Sequence, residues 1–252
     1  MTILTLFGYG VALFAVLLLL DRLPWRHVVA FWGLAWCAAV ASRMLLAPDA
    51  PDTAFVIMKA TVTACGSIAF SFEPMWRRLS ERTMRGLAFF AIGSAIALSM
   101  PKLVQEGAWP AALAAGLLIL VLVFFPTRWE ARAERAGGTM DLGWWWIVAY
   151  SLWLPTTALE IEGINLLGRK VLTAFVLLGF AARLGPQHWL RLRIFEGGLV
   201  FLLTLALPGG FAAALDTPGW ALPGHLWVIG GLSLVAALIT VWRAIRRRRS
   251  TP

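Results

Sequence analysis

Seven side chains hold most of the chemistry open to this chain: Arg43, Lys59, Tyr150, Trp153, Glu160, Glu162 and Asn165. Each lies in, or at the edge of, a long apolar run. An ionisable group at membrane depth costs about 2.5–3.5 kcal/mol on insertion scales, so it faces protein or water rather than lipid. Cations and acids gathered at one depth form either a buried ion-pair network or a wet vestibule. Lys59 is the deepest of the cations, and Glu160 is its natural counter-ion. Arg43, Arg169 and Lys170 are close enough to the ends of their runs to snorkel toward the headgroups.

The aromatic members belong to a stripe. Trp146, Tyr150, Trp153, Thr157 and Glu160 recur at three- and four-residue spacing and therefore share one helix face. Such a stripe serves as a stacking platform for an apolar or aromatic ligand, or as helix-packing core. Pro155 interrupts it. A proline donates no backbone hydrogen bond, so the carbonyl of Ser151 loses its partner and the helix is expected to bend there.

Signatures of catalysis are missing from the sequence: it has no H-E-x-x-H, no G-x-S-x-G and no phosphate loop. His27, His188 and His225 fall in expected loops. Cys37 and Cys65 fall inside apolar runs, with neither metal-ligand spacing nor a disulfide framework, and are read as buried packing residues. No catalytic residue, metal site or cofactor is assigned.

The elements that must position these groups are helical. The 252 residues are 60% hydrophobic and 14% charged, with a mean hydropathy of +0.78. A soluble domain is nearer 45–50% apolar and about 25% charged. The period is helical, which excludes an outer-membrane barrel. The fold class expected is all-α: a polytopic transmembrane helix bundle forming a single domain over 1–252. Nine spans are read at about 3–20, 28–46, 55–72, 86–100, 109–125, 144–160, 166–184, 194–214 and 226–242. The first lacks the basic start and cleavage site of a signal peptide and is read as a retained span. The seventh is the weakest, because its apolar portion after Lys170 is short.

Net charge is +9, but the cations are distributed between the apolar runs, which reads as orientation rather than nucleic-acid binding. With the C-terminal arginines inside and nine alternating spans, the inner loops with their adjoining span ends and the tail hold two, four, three, three (Arg183 included) and five Lys/Arg, or 17 of 22. The N-terminus is then outside and the C-terminus inside, in the inner membrane of a bacterium. Arg243, Arg246, Arg247, Arg248 and Arg249 form an anchor that attracts anionic lipid heads.

The run WIVAYSLW (146–153) resembles an uncharacterised, domain-of-unknown-function family of bacterial multi-span membrane proteins with an aromatic W-I-x-A-Y-x-x-W-N run. Trp146, Ile147, Ala149, Tyr150 and Trp153 match it, and Lys59 in FVIMKATVTACG is similar to a lysine in an earlier span of that family. Leu154 stands where the family has Asn, and Ser151 where it often has an acid. The resemblance implies a multi-span fold and brings no activity with it.

Three functional readings follow. The first is a small-solute permease, channel or ligand-binding membrane protein, with an outward-facing polar pocket between spans two, three, six and seven. Lys59 and Glu160 would be its charged pair, Tyr150 and Trp153 its floor and Pro155 its hinge. The second is a membrane enzyme on lipid-linked or apolar substrates, with Glu160 or Glu162 as general base. The third is a structural subunit of a membrane complex.

Overall fold

An apolar run in lipid has to satisfy its own backbone groups, and a helix does so within one segment. The structure, a computed structural model, describes residues 2–49, 53–76, 78–124, 128–131, 138–157, 165–217, 219–220 and 224–250. Among them the chain is all-α apart from one two-stranded sheet.

Helix α1 (Thr2–Arg22) ends at a bend, and Pro24, with φ −57°, sets the entry to α2 (Trp25–Leu46). That helix begins three residues before the apolar run suggests: Pro24 precedes it with extended ψ of 145°, and Trp25 opens the first turn. Next come α3 (Thr53–Ser71) and a single turn, α4 (Glu73–Trp76). The expected fourth span is helical from α5 (Glu81–Ala88), through a π-helical turn at Phe89–Gly93, into α6 (Ser94–Gln105). It runs past its expected end at residue 100, with Pro101 inside the helix. Helix α7 (Trp109–Phe124) follows. The basic loop beyond it pairs β1 (Arg128–Ala131) with β2 (Gly138–Asp141), an element that its weak alternation did not announce.

Helix α8 (Trp144–Trp153) gives way to a 3-10 turn over Leu154–Thr157. This is how the chain meets Pro155: the α-helical hydrogen bond to Ser151 cannot form, and the backbone tightens instead. The far end of the sixth span and the residues just after it, 158–164, lie outside the described residues. Helix α9 (Leu167–Leu184) is one unbroken helix of 18 residues over the expected seventh span. A 3-10 turn, Pro186–His188, leads to α10 (Trp189–Ala206), which starts five residues earlier than expected. Helix α10 ends at the Pro208-Gly209-Gly210 turn: Gly209 takes φ +71° and a short α11 (Gly210–Ala214) follows. Helix α12 (His225–Ser250) carries the expected ninth span on through the arginine run.

Three of these helices are long and apolar enough to cross a membrane, over Ile3–Arg22, Trp25–Leu46 and His225–Arg246; shorter apolar helices accompany them. Their outer faces leave large apolar side chains uncovered at helical spacing. Ile3, Leu4, Phe7 and Val11 do so on α1, and Val228, Leu232, Val235, Leu238 and Trp242 on α12. Rows of this kind suit an apolar solvent, and the helical, partly apolar chain is compatible with a membrane protein. Cys37 and Cys65, expected to be buried, are free and lie on exposed faces of α2 and α3, because the stripes facing protein there run through Trp32 and Ala39, and through Ala60, Ala64 and Ser67.

The chain divides into two compact units. The first holds Met1–Leu79, Glu130–Thr139 and Leu190–Asp216; the second holds Ser80–Trp129, Met140–Trp189 and Thr217–Pro252. In the first, contacts give the helix directions. Asp21 meets Arg191 and Tyr9 meets Phe211, so α1 runs antiparallel to α10. Trp32 meets Phe195 and the Ser42 hydroxyl donates to the carbonyl of Ala206 (2.7 Å), so α2 runs parallel to α10. At Gly198 a Cβ would stand 2.7 Å from Ser67 Oγ and 2.8 Å from the Trp32 ring, a contact that only glycine allows.

In the second unit α12 packs along α7 and α8. Ser233 donates to the carbonyl of Ala149 (2.9 Å), and Trp146 Nε1 donates to the carbonyl of Leu118 (3.1 Å). The face of α7 turned inward is small: Ala111, Ala112, Ala114 and Ala115 are all buried. A Cβ on Gly230 would come within 2.9 Å of the Ala111 backbone nitrogen, so α7 and α12 touch nearly backbone to backbone.

Candidate functional site

In the first unit Arg43 ends α2. It is 4% exposed, and its Nε donates to Thr53 Oγ1 (3.1 Å), while the Thr53 hydroxyl donates to the carbonyl of Ala47 (3.1 Å). Arg43 therefore fastens the end of α2 to the start of α3 instead of snorkelling. Lys59, two turns into α3, is exposed, with its Nζ 5.9 Å from the centre of the Phe201 ring. Nearby, Trp36 Nε1 donates to Thr61 Oγ1 (3.0 Å), joining α2 to α3. Glu160 and Glu162, the acids expected to face these cations, lie outside the described residues.

The most heavily buried charges of this unit are elsewhere. Asp21, one residue from the end of α1, forms an ion pair with Arg191 in the first turn of α10, and the two are 1% and 2% exposed. The Arg191 guanidinium also stands 6.0 Å from the Phe195 ring, and its Nε has no partner. One turn on, Arg193 pairs with the buried carboxylate of Glu196, as their spacing on one helix face favours. Two further polar atoms near Gly198 are buried without partners, Trp32 Nε1 and Ser67 Oγ. A buried polar atom without a partner costs about 1–3 kcal/mol, so α1, α2, α3 and α10 enclose an expensive polar interior.

In the sequence alone Asp21 reads as the polar end of the first span and Arg191 as an orientation charge. One signal was present. On the nine-span topology Asp21 is an acid on the side where the loops are basic, directly after an uninterrupted apolar run.

In the second unit the aromatic stripe is closed. Trp146 and Tyr150 stack at 5.4 Å and 14°; Tyr150 tilts against Trp153 at 5.6 Å; Trp189 meets both Trp146 and Tyr150 edge-on, at 5.5 and 4.9 Å. All four are buried. Their faces are covered by one another, which makes the stripe a packing core. Its polar edges are less complete: Trp153 Nε1, Trp189 Nε1 and Ser151 Oγ are buried without partners.

Asn165 has a defined part in this unit. Its Oδ1 accepts from the amide of Leu167 (2.9 Å), and its carbonyl accepts from both the amide and the hydroxyl of Thr217 (2.8 Å each). Thr217 Oγ1 in turn accepts from the amide of Gly168 (3.1 Å). Two amides at the start of α9 that no intrahelical carbonyl can reach are thus capped by side chains 52 residues apart. Arg169 follows in the same turn. It is 8% exposed, and its Nε has no partner.

Of the residues expected to act together, Arg43 and Lys59 thus belong to the first unit, and Tyr150, Trp153 and Asn165 to the second. Among the described residues no group of three or more His, Cys, Asp or Glu is placed to hold a metal ion. Compared with protein-family models, curated proteins and solved structures, the chain matches none.

Proposed function

We propose that this chain is a multi-span protein of a bacterial inner membrane that binds or passes a small polar solute through its first unit. The Asp21–Arg191 pair carries the reading. Removing two charges from water costs several kcal/mol per ion, and a well-packed apolar pair in their place is often as stable or more so. Ionisable groups held among apolar helices mark solute, ion or proton paths. The partnerless atoms of Trp32, Ser67 and Arg191 add hydrogen-bonding capacity that the fold leaves unused.

With the N-terminus outside, Arg43 and Lys59 stand toward the outer end of this unit. Asp21, Arg191, Arg193 and Glu196 stand toward the inner end, so a solute would meet charge at both. Arg243 lies over Trp145 and Arg246 over Trp242, and the basic tail would hold α12 to anionic headgroups.

Proteoliposomes containing the purified protein test the proposal. Osmotic swelling with glycerol, urea and glycine reports solutes, and an entrapped pH dye reports protons. At least one probe should cross faster than in empty vesicles, and Asp21→Asn and Arg191→Met should each return it to the empty-vesicle rate. Rates equal to empty vesicles for every probe, or variants as active as wild type, would overturn it.

A further inference from the structure

We infer that the first turn of α9 binds an oxyanion, carboxylate or phosphate in class, through the guanidinium of Arg169. The inference stands on the second unit and does not depend on the Asp21–Arg191 reading.

Arg169 is the third residue of an 18-residue helix. The amino end of a helix carries about half a positive charge. A cation there is repelled, and this one is also desolvated, at 8% exposure. Helical side chains lean toward the amino end, which directs the guanidinium over the start of its own helix. Arg169 Nε is buried without a partner, and among the described residues no carboxylate pairs with it.

The leading amides do not supply the site, because Asn165 and Thr217 already occupy those of Leu167 and Gly168. Their role is to hold the turn still. Helix α9 packs against α8 and the Leu154–Thr157 turn, which bring Trp153 Nε1 and Ser151 Oγ into the same unit as further partnerless groups. Two positive features and unused N–H donors call for a negative acceptor, and arginine's planar fork matches the paired oxygens of a carboxylate or phosphate. Such an oxyanion reaches the helix as a dissolved solute or as a phospholipid headgroup.

The test uses the full-length protein in nanodiscs, with thermal unfolding followed by tryptophan fluorescence. Inorganic phosphate and acetate are titrated in zwitterionic lipid, and a second series replaces part of that lipid with phosphatidylglycerol. Ligand that binds only the folded state raises Tm in a saturable way. A rise with phosphate or acetate assigns a dissolved anion; a rise with phosphatidylglycerol alone assigns a headgroup. Either should vanish in Arg169→Gln, persist about tenfold weaker in Arg169→Lys, and be unaffected by Arg183→Gln at the far end of the same helix. If Arg169→Gln does not fold, the wild type and the lysine variant still decide. No rise in the wild type would overturn the inference. So would a fall in Tm for Glu160→Gln or Glu162→Gln that Arg169→Gln abolishes, since the chain would then supply its own anion.

Discussion

Breaking the Asp21–Arg191 pair costs more than the intact pair contributes. Removing one partner of a buried ion pair costs about 3–5 kcal/mol; replacing both with apolar residues of similar size removes the desolvation cost along with the attraction. Asp21→Asn and Arg191→Met should therefore each lower the unfolding midpoint sharply in mixed micelles, and Asp21→Leu with Arg191→Met should recover most of it. A double variant as unstable as either single one would show that the pair is needed by the fold. Recovered stability with lost flux would show that it is needed by the solute. At this scale the sequence was informative about type and silent about partner. Arg43 was visible as a cation at a span edge, but its bond to Thr53 depends on how two helices meet. Trp146 and Tyr150 were visible as one stripe, and Trp189, which meets both edge-on, lies outside any local pattern.

Helices here approach at single small residues, and those contacts predict their own tests. Gly230→Ala drives a methyl into the Ala111 backbone, which cannot rotate away, so it should cost about 1–3 kcal/mol. Gly231→Ala meets nothing within 4 Å and should change stability by no more than about 1 kcal/mol, on the favourable side. Equal effects would mean that α7 and α12 do not meet as described. The element list itself was legible because apolar runs and their proline and glycine punctuation determine where helices pass and stop. Boundaries were less so. Helix α10 begins at Trp189 rather than at 194 because its first turn is built from aromatic and basic residues that a hydropathy window discounts. The π-turn at Phe89–Gly93 has no sequence signature, and the β1–β2 pairing is carried by backbone bonds that side-chain patterns do not encode.

On the membrane reading proposed above, the decisive property of the whole molecule is which surface faces lipid. Cys37 and Cys65 are free and exposed on apolar helices. In intact cells both should resist a membrane-impermeant maleimide and react fully once detergent unfolds the protein. Rapid labelling in cells would place α2 and α3 against water. The grouping of helices into units was not readable, because the first unit is assembled from three separate stretches of chain. That discontinuity has a bearing on biogenesis. Asp21 and Arg191 are separated by 170 residues. A ribosome adding about 5–20 residues per second takes roughly 10–30 s to make the second after the first. Throughout that interval α1 has left the ribosome without Arg191 to pair with its acid, so its final seating waits for α10. Synthesis halted before residue 191 should leave the earliest helix the one most easily extracted.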